Sequence, residues 1–270
     1  MLVGLRSRRH IAPFSLHRPE TWDEAVALRR QPGSSAFLAG GIDLIDRLKH
    51  GHVIDRLIRL DGIPGLAEIR ATADSLRIGA LATHAAVADS TAIRGVLPDL
   101  AVLWQHVANP RVRFAGTIGG NVMARRPDYD GLPALLAAGA EAEIAADRIA
   151  LSAVDDLVTG FVIARPKRLR LFADRSLRPA ISIWLGVTVT DGQVGGIRAA
   201  IGMAHPSPVC VSLDLNMSLA SLTRHAASIA DTVAGTMPDP MTDPVATASY
   251  RRRMARVLTT RLLSQAGGAA

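Results

Sequence analysis

The stretch Ala36-Phe37-Leu38-Ala39-Gly40-Gly41-Ile42-Asp43 decides how this chain is read. Its four leading residues are apolar, too few for a helix, and run straight into a glycine pair, so they read as a short buried strand feeding a tight turn. Residues 44–49 then read as helix. A glycine pair at a strand end lets backbone N–H groups adopt positive φ and come close to a diphosphate. A second glycine loop stands about 80 residues on, Gly116-Thr117-Ile118-Gly119-Gly120-Asn121, where a Thr hydroxyl and an Asn amide add donors. Neither stretch is Gly-x-Gly-x-x-Gly, and neither carries the Lys-Ser/Thr of a P-loop, so Rossmann and Walker signatures are excluded. On residues alone each pair reads first as a plain tight turn, and two of them only suggest a diphosphate site.

Working outward, residues 12–16 read as extended. Thr21 reads as an N-cap with Glu24 as its capping-box partner, ahead of a helix that ends near Pro32-Gly33. Residues 53–60 give another strand. A second unit follows: paired strands over 66–71 and 75–80, a helix capped by Thr83 and starting near His84, a helix over 97–108 closed by Asn109-Pro110, an apolar helix over 132–138 and a strand over 142–145. After Gly160 the texture changes. Strands over 167–172 and 180–190, the hairpin pair Asp191-Gly192, and a return strand over 194–201 predict an antiparallel sheet. Residues 213–234 and 250–265 read as helices, the second with Arg251, Arg252, Arg253 and Arg256 on a solvated face. The domain boundary falls near Pro166, giving residues 1–165 (subdomains about 1–60 and 61–165) and 166–270.

Composition narrows the class. Of the 270 residues, 49% are hydrophobic and 20% charged, so a packed core is expected and wholesale disorder is not. The single Cys210 excludes an internal disulfide framework, and a cysteine-held iron–sulfur cluster or zinc site. No apolar run is long enough to span a membrane, and the arginine-rich start is followed by no apolar stretch of a secretory signal; a cytoplasmic location is the expectation. The net charge of +7 is carried almost wholly by arginine spread along the chain, without interleaved stacking aromatics, so nucleic acid is not an expected partner. Asp128 and Asp130, two apart in a loop, read as positioning groups, His84 and His106 as packed or capping histidines, and Cys210 as buried and inert.

The chain resembles the FAD-binding medium subunit of the molybdenum hydroxylases, the family of carbon monoxide dehydrogenase and xanthine dehydrogenase. The resemblance rests on Phe14-Ser15-Leu16-His17-Arg18-Pro19, on Leu38 through Ile45, on Leu76 through His84, and most of all on Asn109-Pro110-Arg111-Val112-Arg113-Phe114-Ala115-Gly116-Thr117-Ile118-Gly119-Gly120-Asn121 with Pro127-Asp128-Tyr129-Asp130. It implies an α+β chain: a two-subdomain FAD-binding fold of the PCMH (vanillyl-alcohol-oxidase-like) type, then a C-terminal domain with a small antiparallel sheet and helices. It implies one non-covalent FAD, with Leu38, Ala39, Gly40, Gly41, Ile42 and Asp43 forming the first pyrophosphate loop, Thr117, Ile118, Gly119, Gly120 and Asn121 the second, and Asp130 reaching the ribityl region.

The resemblance further implies an electron-transfer role. Electrons would come from [2Fe-2S] clusters on a small partner subunit, fed by molybdopterin on a large one, and leave to an external acceptor, in a heterotrimer or dimer of heterotrimers. No side chain of this chain is expected to act as a catalytic acid, base or nucleophile. Three departures stand out: Ile42 where a polar residue is usual, a shortened segment over 160–172, and Arg178-Pro179 where an Asp and an aromatic are usual. They keep two other readings in play, a free-standing FAD oxidoreductase and a flavin-free assembly subunit.

Overall fold

The computed structural model describes residues 10–145, 147–153, 157–164, 166–177 and 179–268. Arg178 therefore lies outside the described residues.

The first unit is a three-stranded parallel sheet in the order β1-β3-β2, with β1 Ser15–His17, β2 Ser35–Leu38 and β3 Arg56–Arg59. Helix α1, Trp22–Arg30, is capped by Thr21, whose hydroxyl accepts the Glu24 amide. The Glu24 carboxylate reaches back to the amide of Glu20, one residue beyond the cap itself. Helix α2, Ile42–Lys49, leaves β2 through Gly41, which sits at φ 72°. That left-handed geometry is strained for any residue with a Cβ.

The second unit is a five-stranded antiparallel sheet in the order β4-β5-β8-β6-β7. Its strands are β4 Ile69–Ala71, β5 Ser75–Gly79, β6 Glu141–Ile144, β7 Asp147–Ala150 and β8 Gly160–Ala164. Leu76, Ile78, Ala142, Phe161 and Ile163 pack in the core on one face of it, alternate residues of their strands, while Val162 buries the other face of β8 as well. Among the described residues six α-helices complete the unit: α3 His84–Asp89, α4 Thr91–Val96, α5 Pro98–Trp104, α6 Pro110–Ala115, α7 Ile118–Met123 and α8 Gly131–Ala137. The half-buried pair Arg77–Glu143 ties β5 to β6.

The third unit is a four-stranded antiparallel sheet in the order β12-β11-β10-β9. Its strands are β9 Leu169–Arg175, β10 Ser182–Thr190, β11 Gln193–Gly202 and β12 Val209–Ser218. Asp191 and Gly192 take φ 50° and 75°, so they form the predicted two-residue hairpin turn between β10 and β11. The sheet is covered on both faces. Ile183, Leu185 and Val187 pack under α9, Leu219–Thr236, and α10, Ala248–Gly268. Trp184 and Ala200 point the other way, into the core of the second unit. At Gly186 an added Cβ would overlap the Ala137 carbonyl, so α8 lies directly on this sheet.

Two expectations are corrected. Residues 213–218 are the end of β12 and not the start of a helix. Leu213-Asp214-Leu215-Asn216-Met217 alternates apolar and polar, a strand period that runs unbroken into the helical period of α9. The arginine run of α10 is not a uniformly solvated face. The Arg251 side chain is only 2% exposed and pairs with Asp243, and Arg252 reaches the Ala234 carbonyl and Asp239. His106, by contrast, is a capping histidine as expected: exposed and just past the end of α5, its ring bonds the Val102 carbonyl in that helix's last turn.

Candidate functional site

A cleft of about 440 Å³ lies where the first two units meet, within the size range of cofactor sites. One wall is the β2–α2 turn: Ala39, Gly40, Gly41, Ile42, Asp43 and Leu44. The opposite wall is built from His84, from Val107, Ala108 and Asn109 between α5 and α6, and from Gly116, Thr117, Gly120 and Asn121 at the start of α7. Asp128, Tyr129, Asp130 and, from β9, Arg175 close the far side. Gly40 lets the walls meet: a Cβ there would overlap the Ala115 carbonyl and stand 3.1 Å from the Gly116 Cα.

The two glycine segments do different work. Helix α2 has no side-chain cap, and its first intrahelical bond runs from the Ile45 amide to the Gly41 carbonyl. The amides of Ile42, Asp43 and Leu44 therefore stand unbonded at the N-terminus, on residues that line the cleft. This is a ready-made anion site. The second segment is the first turn of a short helix, and its amides are used within the fold. Ile118 N–H donates to the Ala82 carbonyl at 2.9 Å, Gly119 N–H to the Ala80 carbonyl at 2.8 Å, and Gly120 N–H to the Thr117 hydroxyl at 3.1 Å. What it offers the cleft is side-chain chemistry. Asn121 Oδ1 accepts the Gly131 amide at 2.9 Å, which turns its NH₂ outward as a donor.

Of the sequence-predicted site residues, Ala39, Gly40, Gly41, Ile42, Asp43, Thr117, Gly120, Asn121 and Asp130 share this cleft. Leu38, Ile118 and Gly119 stand behind it. A Cβ on Gly119 would lie 2.7 Å from the Ala80 carbonyl, so this glycine is required by helix-on-strand packing. Val107, Ala108, Asn109, Tyr129, Arg175 and His84 join the lining without having been singled out as ligands. Ala108 carries a positive φ of 57°, and its carbonyl is held by Arg113 at 2.9 Å.

Charge is organised around the rim. Arg126 pairs with Asp43 at 3.7 Å and with Asp128 at 3.3 Å, and lies over the Tyr129 ring at 5.3 Å. Burial raises the Tyr129 pKa, reinforced by the charge of Asp43, so this phenol remains a donor. Burial also pushes the Asp130 carboxyl up, while the Trp184 indole bonds it and the Arg175 charge pulls the other way. His84 is 1% exposed. Burial, then the nearby charge of Arg113, lowers its pKa to about 4.

The His84 shift sets an acid limit on stability. Between pH 6.5 and about 4 the unfolded chain binds a proton that the folded chain refuses, so stability falls as pH falls through this window. The loss is complete below the folded value and is on the order of 3 kcal/mol. Urea midpoints of the cofactor-free chain at pH 7 and pH 4.5 are expected to differ more than those of His84→Gln. Equal differences would show that this histidine does not govern the loss.

Two α/β units closing on a cleft, with an uncapped helix end on one side and Thr and Asn donors on the other, define a fold built to hold a nucleotide cofactor. The family model described as the FAD binding domain in molybdopterin dehydrogenase matches residues 12–160, and the chain belongs to that family. It is 37% identical over 119 residues to the carbon monoxide dehydrogenase medium chain of Hydrogenophaga pseudoflava, a match spanning 43% of this chain and 42% of that one, so less than half the relative's length. It is 26% identical over 289 residues to the xanthine dehydrogenase FAD-binding subunit of Escherichia coli O157:H7, across 95% of this chain and 97% of that one. In fold it resembles a solved carbon monoxide dehydrogenase from Hydrogenophaga pseudoflava, with a TM-score of 0.80 at 24% identity over 95% of this chain and 97% of that one.

Proposed function

We propose that the chain is the FAD-carrying electron-transfer subunit of a heteromeric molybdopterin-dependent hydroxylase or dehydrogenase. Residues 1–165 form its FAD-binding domain, as subdomains of about 1–60 and 61–165, and residues 166–270 its C-terminal domain. The observation that carries this reading is the uncapped N-terminus of α2 facing the Thr117 and Asn121 side chains across the cleft. When bound, FAD supplies the redox chemistry, and the protein supplies binding, orientation and electrostatics.

Each part of the cleft has a task. The amides of Ile42, Asp43 and Leu44 hold the diphosphate, and Thr117 and Asn121 donate to it from the opposite wall. Asp130, braced by Trp184, accepts from sugar-like hydroxyls. Arg175 places positive charge at the same end, where it favours added negative charge on whatever is bound. Ile42 lacks a side-chain donor, yet its amide is free, so the substitution leaves the helix-end site intact. This supports the flavin-bearing reading over the flavin-free assembly subunit.

The partners follow from the chain's chemistry and its relatives' names. With one cysteine it holds no iron–sulfur cluster of its own, and among the described residues no group of three or more His, Cys, Asp or Glu stands ready to hold a metal. We assign [2Fe-2S] clusters to a small partner subunit and molybdopterin to a large one, where substrate is hydroxylated, the electrons passing through this chain to an external acceptor. Among the described residues no helix is long and apolar enough to cross a membrane, in keeping with a cytoplasmic complex.

The test is cofactor content. Native chain is expected to carry one FAD that denaturation releases intact, identified by mass, and to co-purify with a cysteine-rich iron–sulfur protein and a large molybdopterin protein. FMN alone, a flavin that survives denaturation on the chain, or a lone monomer that turns over substrate would each overturn the reading.

A further inference from the structure

We infer that His84 is a neutral hydrogen-bond donor to the diphosphate of the bound FAD, acting through Nε2 from the wall opposite α2. The inference rests on the flavin reading above and extends it to a residue outside both glycine segments.

The tautomer is set by a neighbour. The buried Trp104 indole donates to His84 Nδ1 at 3.1 Å. An indole N–H only donates, so Nδ1 must present its lone pair, and the ring proton sits on Nε2. Protonating Nδ1 as well would set two donors face to face, which agrees with a histidine kept neutral by burial. Among the described residues, the hydrogen bond found for the His84 side chain is the one at Nδ1.

The ring is otherwise sealed in protein, yet it lines the cleft. The opening is made by Gly116. A Cβ on that residue would stand 3.0 Å from His84 Cδ2 and 3.3 Å from Nε2, and Gly116 itself lines the cleft. The backbone fixes the placement, because the His84 amide donates to the Gly116 carbonyl at 2.9 Å. Nε2 is not among the fully buried side-chain atoms that lack a partner, in keeping with a ring that keeps contact with the cleft, where a ligand can accept its hydrogen bond. What lies across the opening is identified by the chain of close approaches. Gly116 Cα is against Gly40, and Gly40 immediately precedes the turn that presents the α2 amides. The Nε2–H therefore points to the part of the cleft where the helix end collects negative charge. A neutral donor suits that place, since it bonds an anionic oxygen at any pH at which the fold is intact.

The test uses the full-length chain stripped of cofactor and titrated with FAD and, separately, with ADP, which keeps the diphosphate and lacks the flavin. His84→Leu is expected to weaken both by a similar factor of about 10 or more, the loss of one hydrogen bond to a charged acceptor. Trp104→Phe, which keeps the imidazole but removes the donor that fixes its tautomer, is expected to weaken both nucleotides by a smaller factor, because part of the neutral ring then carries its proton on Nδ1. His84→Gln, whose amide nitrogen can stand near the place of Nε2, is expected to recover part of the affinity. In ¹⁵N spectra of the histidine-labelled chain, the His84 Nε2 signal should be of the protonated type and should move on adding ADP. A His84→Leu chain that binds both nucleotides like wild type would overturn the assignment. So would a loss confined to FAD, which would place His84 at the flavin end, or a proton found on Nδ1. Should His84→Leu fail to fold, the spectra and His84→Gln decide alone. Wild-type chain that binds neither nucleotide would instead overturn the flavin reading itself.

Discussion

Replacing Ile42 with glutamate is expected to weaken FAD binding about 30-fold without loosening the fold. The residue is the first of α2, is 38% exposed and lines the cleft. A carboxylate there would stand beside the diphosphate. Two like charges about 5 Å apart in a medium of effective dielectric about 20 repel by about 3 kcal/mol, and solvent screening at a partly exposed site leaves about 2. In the cofactor-free chain the same carboxylate meets the positive end of the helix, an interaction worth about 0.3–1 kcal/mol in the stabilising direction. The two effects have opposite signs, so a general folding defect cannot imitate the result. Titration of the stripped protein with FAD, alongside thermal melts without it, measures both. Wild-type affinity in Ile42→Glu would mean that the diphosphate does not lie against α2. A parallel Ile42→Thr, which adds the side-chain donor this chain lacks, should hold or modestly raise affinity.

How much of this was legible in the sequence depends on whether the signal is local. Thr21 and Thr83 cap the helices expected of them, because a cap is decided within four residues. Asp191-Gly192 sets its hairpin for the same reason. The first glycine turn was readable as a strand-to-helix junction. The second was readable as a loop but not as the helix it forms, since two successive glycines oppose helix locally. What holds α7 there is tertiary: the Thr117 cap and the carbonyls of Ala80 and Ala82. Residues 160–164 carried no assignment, although they are the central strand β8 of the five-stranded sheet. Buried strands of this kind lack the alternation that marks an exposed one.

The site divides in the same way. The glycine segments could be singled out in advance, because close backbone approach demands glycine, whereas Asp130 was reached only through the family resemblance. Val107, Ala108 and Arg175 could not, since they reach the cleft only through the way α5, α6 and β9 are packed. His84 was visible only as a histidine beside apolar residues, and its chemistry depends on Trp104, twenty positions away. The arginine run of α10 shows the reverse error. Charged residues are almost never fully buried unless paired, so solvation was the natural reading, and the pairing that defeats it is not a helix-face contact.

That pairing gives the largest stability effect expected here. Arg251→Ala should destabilise the chain by about 3 kcal/mol, lowering its melting temperature by roughly 6–12 °C. The guanidinium joins three segments. Nε donates to the Ala180 carbonyl at 3.1 Å, Nη1 to the Met241 carbonyl at 2.8 Å, and Nη2 to both oxygens of Asp243 at 2.9 and 2.8 Å. Asp243 in turn accepts the amides of Val245 and Ala246, so the turn leading into α10 is organised around this pair. Truncation leaves two carbonyls and a carboxylate without their donor, and opens a void beside the start of β10. Lysine should rescue only part of the loss, because one ammonium cannot reach three acceptors set around a planar fork. Arg253→Ala, which removes an exposed side chain resting on the Tyr250 ring, should cost no more than about 0.5 kcal/mol. The acid dependence supplies a further check. The Arg251 hydrogen bond, then the backbone amides, hold the Asp243 carboxyl below the ordinary carboxylate range. Its contribution is therefore present above the unfolded value near 4 and lost as pH falls through the lower, folded value. The gap between wild type and Arg251→Ala should accordingly be widest near neutrality and narrow in acid. A gap that is small at pH 7, or that widens as pH falls, would show that the pair does not hold this turn to the sheet.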